Sequence, residues 1–488
     1  MTTGLVSPAL TKEIRALLPI WAAAVTLVVL GSFGSGFTPA GIGLLGFAFG
    51  AIALGAQSFG YEYSHRTLVL MLSQPIDRRR VFLYKGGVLL AMVGSLAAVT
   101  LLLFQNALRL AASPHTEPGM LLLVAACGLC LAPWLTMVCR SPLAGGVFTI
   151  AIPGVLAVGS DLLGVLIYGA DHPAAVERFS STVFRPALVL ICGVSAAAAW
   201  RAFTRLEAID GAGAEIQLPG AITGASAVAT QPRRPQSVLR ALVVKELRLQ
   251  QITFVLAAIF VALWVSLAWR EHRRPDSPGI PFVPITLLYA GILSVLAGAL
   301  TSAPERQLGV LEWQTLQPVP AWKQWMTKVG VAGMLVLTFG IAVPMALAYV
   351  TQPSERLAPQ QIRWLTIAVL TLAAIGTYLS SLCRTSVTAL VLSVPAVVML
   401  WIFFRTMADY IVILWMRAGV FAGRGPAVSL ETMEVLVLGT SAGLIVLLVA
   451  LAFGNHRRSD STSRRLLTQV PAIAGYVTAA VALLIALG

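Results

Sequence analysis

Hydrophobic positions in this chain fall in long unbroken runs rather than on one face of short amphipathic segments. Runs with few or no charges cover about 17–34, 41–60, 86–108, 119–138, 143–168 and 186–200. They resume at about 252–269, 282–303, 329–350, 364–382, 387–404 and 432–453, and a last run covers 469–487. A helix needs about 20 apolar residues to cross the hydrocarbon core of a bilayer. The pattern therefore predicts an all-α polytopic membrane protein, with twelve core transmembrane helices and an additional C-terminal membrane helix at 466–488.

Composition agrees with this reading. Of 488 residues, 58% are hydrophobic and 11% charged, with a mean hydropathy of +0.85. A soluble domain carries about a quarter charged residues, so the secreted, fibrous and disordered classes are excluded. The net charge of +14 would suggest nucleic acid on a soluble protein. Here what counts is which loops hold it. With the N-terminus inside, 23 of the 34 Lys and Arg residues fall on inner segments. That predicts a multi-pass protein of the cell inner (cytoplasmic) membrane with a cytoplasmic N-terminus, cytoplasmic loops 61–85, 201–251 and 304–328, and no nucleic-acid partner. The five cysteines lie in or beside apolar runs, and Cys127-x-x-Cys130 reads as small packing residues. The five histidines are scattered one per loop, so no metal site is expected. No cleavable signal peptide precedes the first run.

The chain also repeats itself. Lys12-Glu13-Ile14-Arg15 recurs as Lys245-Glu246-Leu247-Arg248, each opening an amphipathic stretch suited to the membrane interface. Glu62 and Lys85 stand 23 residues apart, as do Glu305 and Lys328. In that frame Gln74-Pro75 aligns with Gln317-Pro318 and Gly55 with Gly298. Cys139-Arg140-Ser141 matches Cys383-Arg384-Thr385. Two parallel six-helix halves follow, 1–207 and 237–458, joined by a flexible Ala-, Gly-, Thr- and Pro-rich linker at 208–236.

The two matched loops, EYSHRTLVLMLSQPIDRRRVFLYK and ERQLGVLEWQTLQPVPAWKQWMTK, each begin with a glutamate, pass through a helix-compatible run and break at Gln-Pro. Asp77 is a good helix N-cap and Pro320 a good first-turn residue for the helix that follows. Trp313, Trp322 and Trp325 suit the membrane boundary. Fixing topology needs only charge. A duplicated helix–elbow–helix shape suggests two docking elements for a two-fold partner.

These loops resemble those of the permease subunits of type-2 ABC exporters, and the resemblance extends over both halves. It implies that the chain is the transmembrane subunit of an ATP-binding-cassette exporter, with two six-helix halves fused. Glu62, Arg66, Thr67, Ser73, Gln74, Pro75 and Lys85 would form one coupling, ATPase-docking region. Glu305, Gly309, Gln317, Pro318 and Lys328 would form the other, and Lys12, Glu13, Lys245 and Glu246 mark the connecting helices. The partners implied are ATP-binding-cassette ATPase subunits, as a dimer, and the lipid bilayer. A phosphate-cradling loop needs a lysine after glycine, and none of the five lysines follows one. The chain is therefore expected to be a transport subunit and not an enzyme, binding no cofactor itself. ATP and magnesium would be used by the partner ATPase.

The mainly apolar spans suit a hydrophobic or amphipathic substrate. Asp161, Arg405, Asp409 and Arg417 read as interface charges, and Gly46 and Gly50 as a close-packing pair. Three other classes compete with this reading. A proton-coupled transporter of the major facilitator class needs acids deep in the spans, and these are nearly absent. A membrane enzyme needs convergent polar groups at mid-membrane, and the sequence offers no such cluster. A receptor or scaffold built on the permease fold is the third.

Overall fold

The computed structural model describes residues 8–32, 37–64, 67–68, 71, 77–110, 118–169, 172–205, 238–273, 282–310, 319–351, 359–417, 430–457 and 462–487. Among the described residues there are helices and turns and no strand. Continuous Leu, Ala, Val and Ile runs favour this, because a helix satisfies every backbone N–H and C=O within its own segment.

The helices are α1 (Pro8–Ser32), α2 (Phe37–Ser64), α3 (Arg78–Leu110), α4 (Pro118–Ala126), α5 (Ala132–Cys139), α6 (Pro142–Tyr168) and α7 (Pro173–Thr204). They continue as α8 (Val238–Leu249), α9 (Gln251–Arg273), α10 (Phe282–Ala299), α11 (Ala303–Leu308), α12 (Ala321–Leu337), α13 (Val343–Thr351), α14 (Pro359–Leu382), α15 (Ser386–Arg417), α16 (Leu430–His456) and α17 (Thr462–Leu487). A π turn at Cys127–Leu131 joins α4 to α5, and another at Thr338–Ala342 joins α12 to α13. Among the described residues, ten helical segments are long and apolar enough to cross a membrane. Three shorter apolar helices, Ile285–Ala299, Ser386–Leu400 and Thr468–Leu483, fall on the remaining hydrophobic runs. The chain is an all-α, multi-pass membrane protein.

Contacts divide the chain into two compact units: Met1–Arg233 with Phe254–Pro281, and Arg234–Thr253 with Phe282–Gly488. In the first, α1 packs along α2. Gly46 and Gly50 make this possible: a Cβ on either would come within 2.7 Å of Leu27 or 2.4 Å of Ala24. Gly55 lies still closer to the π turn between α4 and α5, where a Cβ would sit 1.9 Å from the Gly128 carbonyl oxygen. The second unit repeats that crossing with Gly298, whose Cβ would lie 2.3 Å from the Ala373 carbonyl oxygen. Bare backbone at these crossings lets helices approach to van der Waals contact without a hydrophobic drive between them.

Three local features depart from a simple repeat. The amphipathic stretch of α1 runs straight into its span, but the corresponding stretch α8 ends in a turn at Gln250 before α9. Gln250 fixes that turn by donating to the Ala297 carbonyl (2.9 Å), while its own side-chain oxygen accepts from Thr253 (2.9 Å). α15 runs unbroken through the segment 405–417, so Arg405, Asp409 and Arg417 belong to one helix. Their side chains lie outside the described residues. The last helix, α17, packs on α15 and α16 within the second unit. Val477 and Val481 there join Tyr378, Leu382, Leu444, Leu448 and Ala452 in one core.

Candidate functional site

Among the described residues, each unit contains one buried cluster of two lysines and two glutamates. In the first, Lys85 on α3 reaches the Glu13 carboxylate on α1 (2.8 Å), Glu62 at the end of α2 (3.4 Å) and the Ser58 carbonyl (3.2 Å). Lys12 also pairs with Glu62 (2.9 Å). In the second, Lys328 on α12 reaches Glu246 on α8 (3.1 Å), Glu305 on α11 and the Thr301 carbonyl (3.4 Å). Lys245 bonds Glu305 and lies 3.7 Å from Glu246. Ser58 and Thr301 hold the same place relative to their lysines, 27 residues before each.

The local chain explains why the glutamates sit where they do. Glu305 is the third residue of the short α11, in its first turn, and the helix ends in a left-handed Gly309 with φ of 68°. Gly309 N–H bonds the Arg306 carbonyl and Val310 N–H the Glu305 carbonyl (3.1 Å), the six-to-one bond of a Schellman cap. Thr67 N–H makes the same bond to the Glu62 carbonyl (3.1 Å), and the Thr67 hydroxyl also donates to the Glu62 carboxylate. Glu62 lies in the last turn of α2, where the helix dipole disfavours a carboxylate. Lys85 and Lys12 offset this.

Burial sets the energetics. Glu62, Lys85 and Glu305 are each 1% exposed, and Lys328 2%. An isolated buried ion costs several kcal/mol, and pairing two glutamates with two lysines offsets that cost. Both lysines of the second cluster meet Glu305 at Oε1, while its Oε2 has no hydrogen-bond partner. Lys12 and Lys245 form the rim, with side chains 47% and 36% exposed. Within the second cluster the acids differ. Burial works to raise Glu305, but Lys328 and Lys245 outweigh it and hold its carboxyl below the usual range. Burial raises Glu246, and Lys328 offsets this only in part while Glu305 adds to it.

Eight of the residues singled out in the sequence thus meet in two sets of four: Lys12, Glu13, Glu62 and Lys85; Lys245, Glu246, Glu305 and Lys328. Thr67 and Gly309 shape the turns beside them. Glu62, Lys85, Glu305 and Lys328 are buried and tie three helix segments together, so their direct effect is to fix the geometry of the loop mouths. Arg66, Ser73, Gln74, Pro75, Gln317 and Pro318 lie outside the described residues. Asp77 accepts from Arg79 N–H (3.1 Å) at the start of α3, as its N-cap position predicts. Pro320 stands one place earlier than expected, as the N-cap residue of α12. The matched tripeptides both form turns: Arg140 is left-handed with φ of 50°, and Ser141 and Thr385 each cap the next helix through a backbone N–H.

Frame matching alone does not reveal what lies beneath each cluster. In the first unit it is a layer of rings: Phe82 lies 5.3 Å from Phe59, 5.5 Å from Phe203 and 5.2 Å from Trp200. In the second, Ser302 replaces Phe59 and Trp325 replaces Phe82 in the same frame. Trp325 stacks on His456 (5.2 Å), and Ser302 lies 3.5 Å from the His456 ring nitrogen. Polar contacts then continue outward. Arg306 donates to the Asn455 carbonyl (2.9 Å), and Asn455 and Gln469 exchange two bonds (3.1 and 2.9 Å). Tyr378 donates to Gln469 (3.1 Å) and Asn455 to Ser381 (3.2 Å). Gln469 belongs to α17. Cys127 and Cys130 lie in the first π turn, where Cys127 Sγ is 3.9 Å from Cys192 Sγ.

No family model, curated protein or solved structure matches this chain.

Proposed function

We propose that the chain is the transmembrane permease subunit of an ATP-binding-cassette exporter. Separate ATPase subunits, as a dimer, drive it by docking on coupling helices in loops 61–85 and 304–328. In this reading the chain holds two parallel six-helix halves and an additional last helix, its N-terminus is cytoplasmic, and its substrate is hydrophobic or amphipathic. The chain is not itself an enzyme, and ATP and magnesium belong to the partner.

The supporting observation is the duplicated Lys–Glu cluster. In each unit it fastens an amphipathic helix to the two helix ends that open into a matched loop. A loop that only set topology would have no use for such a brace. A loop that receives a push does, because force applied there must reach the spans and not be lost in bending. ATP-driven closure of the partner would then shift the halves between two states by binding one of them better.

The test is co-expression of the full chain with candidate ATPase subunits. The expected result is copurification, with ATP hydrolysis only when the ATPase is present. Robust hydrolysis by the purified chain alone would overturn the proposal.

A further inference from the structure

The exposed side of α3 carries a second feature, confined to the first unit. Its first turn presents Arg79 and Arg80, both exposed. One turn on, along the same helical rows, stand Leu83 (62% exposed) and Tyr84 (51%). The face continues through Gly87, Leu90 and Gly94, and a Cβ added at Gly86, Gly87 or Gly94 would meet nothing within 4 Å. The result is a shallow apolar trough along the membrane-spanning length of α3, Arg78–Phe104, ending at two guanidinium groups. Arg78 donates to the Thr204 carbonyl (3.4 Å) and Phe82 packs on Trp200. These contacts place the last turn of α7, with exposed Arg201 and Arg205, beside the same helix end.

We propose that this face binds an anionic phospholipid. Arg79 and Arg80 hold its phosphate, with Arg201 and Arg205 adding to the local field, and an acyl chain lies along Leu83, Gly87, Leu90 and Gly94. Guanidinium groups bind phosphate with two parallel hydrogen bonds, and cations near the membrane surface add about 1 kcal/mol each to anionic-lipid attraction. Topology alone would use the arginines but not the open glycines. A soluble protein partner would have no use for the apolar trough directly below them. The second unit supplies an internal control. In the same frame it keeps apolar Met326 and open Gly330, with open Gly333 in place of Leu90 and Leu337 in place of Gly94, but Trp322 and Lys323 stand in place of the two arginines, with Lys323 over the Trp322 ring (5.6 Å). The inference needs only a multi-pass membrane protein and stands apart from the exporter reading.

The test is native mass spectrometry of the purified full chain in neutral detergent, titrated with dioleoyl phosphatidylglycerol or dioleoyl phosphatidylcholine. Selective retention of phosphatidylglycerol is expected. The double variant Arg79→Gln/Arg80→Gln should weaken it by about 10- to 30-fold. Gly87→Leu/Gly94→Leu, which fills the trough and keeps the arginines, should weaken it too, whereas Lys323→Gln should not. Unfolding temperatures near that of the parent chain establish that the variants fold. Equal binding of both lipids overturns the proposal, as does unchanged phosphatidylglycerol retention in either double variant. So does displacement by excess inorganic phosphate, which would indicate a free-anion site. Loss of a copurifying protein from Arg79→Gln/Arg80→Gln with lipid retention intact overturns it in favour of protein docking.

Discussion

The Lys–Glu clusters of the two units are nearly interchangeable, while the layers beneath them are not. Each cluster joins three helix segments through one deeply buried lysine, two carboxylates and a rim lysine. Below, the first unit seals the helix ends with the packed rings of Phe59, Phe82, Trp200 and Phe203, whose one polar group is the Trp200 indole N–H. The second uses Ser302, Trp325, His456, Arg306 and Asn455, joined by polar contacts at Ser302, His456 and Asn455, while Trp325 Nε1 and Arg306 Nε are buried without a hydrogen-bond partner. Gln469 and Tyr378 complete that set, so the second unit depends on α17 for its polar balance as well as for its apolar packing. Tyr476 adds a bond to the Thr440 carbonyl (2.8 Å) across Gly443, where a Cβ would lie 2.0 Å from the Tyr476 hydroxyl. The ion clusters are therefore the constant part of this architecture, and the seal behind them differs between the units.

The largest effect should come from breaking what the units share. Lys85→Met or Lys328→Met leaves two buried carboxylates facing each other, at a cost of about 3–5 kcal/mol. Thermal unfolding of the detergent-purified protein should show similar losses for both, and a loss confined to one would break the equivalence. Next comes a change aimed at the difference. Asn455→Ala strips Gln469 of two bonds and should destabilise by about 2–3 kcal/mol, with α17 becoming the first segment to gain hydrogen exchange.

A finer contrast lies inside the second cluster. Glu305 is held below its usual value, so its contribution is present at neutral pH and lost as pH falls through its folded value. Glu246 is raised, so the folded state takes up its proton first, and stability rises as pH falls through that raised value. Glu305→Gln should therefore cost more than Glu246→Gln at neutral pH, and Glu246→Gln should abolish the gain on mild acidification. Unfolding midpoints measured across pH decide both. The smallest effects belong to the rim: Lys12→Ala and Lys245→Ala should each cost under about 1 kcal/mol and respond to salt.

Run length and hydropathy alone determined that this is a helical membrane protein, because the bilayer imposes one length and one backbone solution on any apolar segment. The sequence also named the eight cluster residues, since a lysine and a glutamate matched at one spacing in two places stand out where charge is scarce. It did not say that they would find one another. Lys85 and Glu13 lie 72 residues apart, and only the packing of α1, α2 and α3 puts them 2.8 Å apart and out of water. Burial and pairing make Glu62, Lys85, Glu305 and Lys328 braces between helices. The break at Gln250 and the seating of α17 were hidden for the same reason: both depend on distant backbone carbonyls and amides, Ala297 and Asn455 among them. Periodicity reports which face of a helix is apolar, and tertiary contact alone decides which buried polar group meets which.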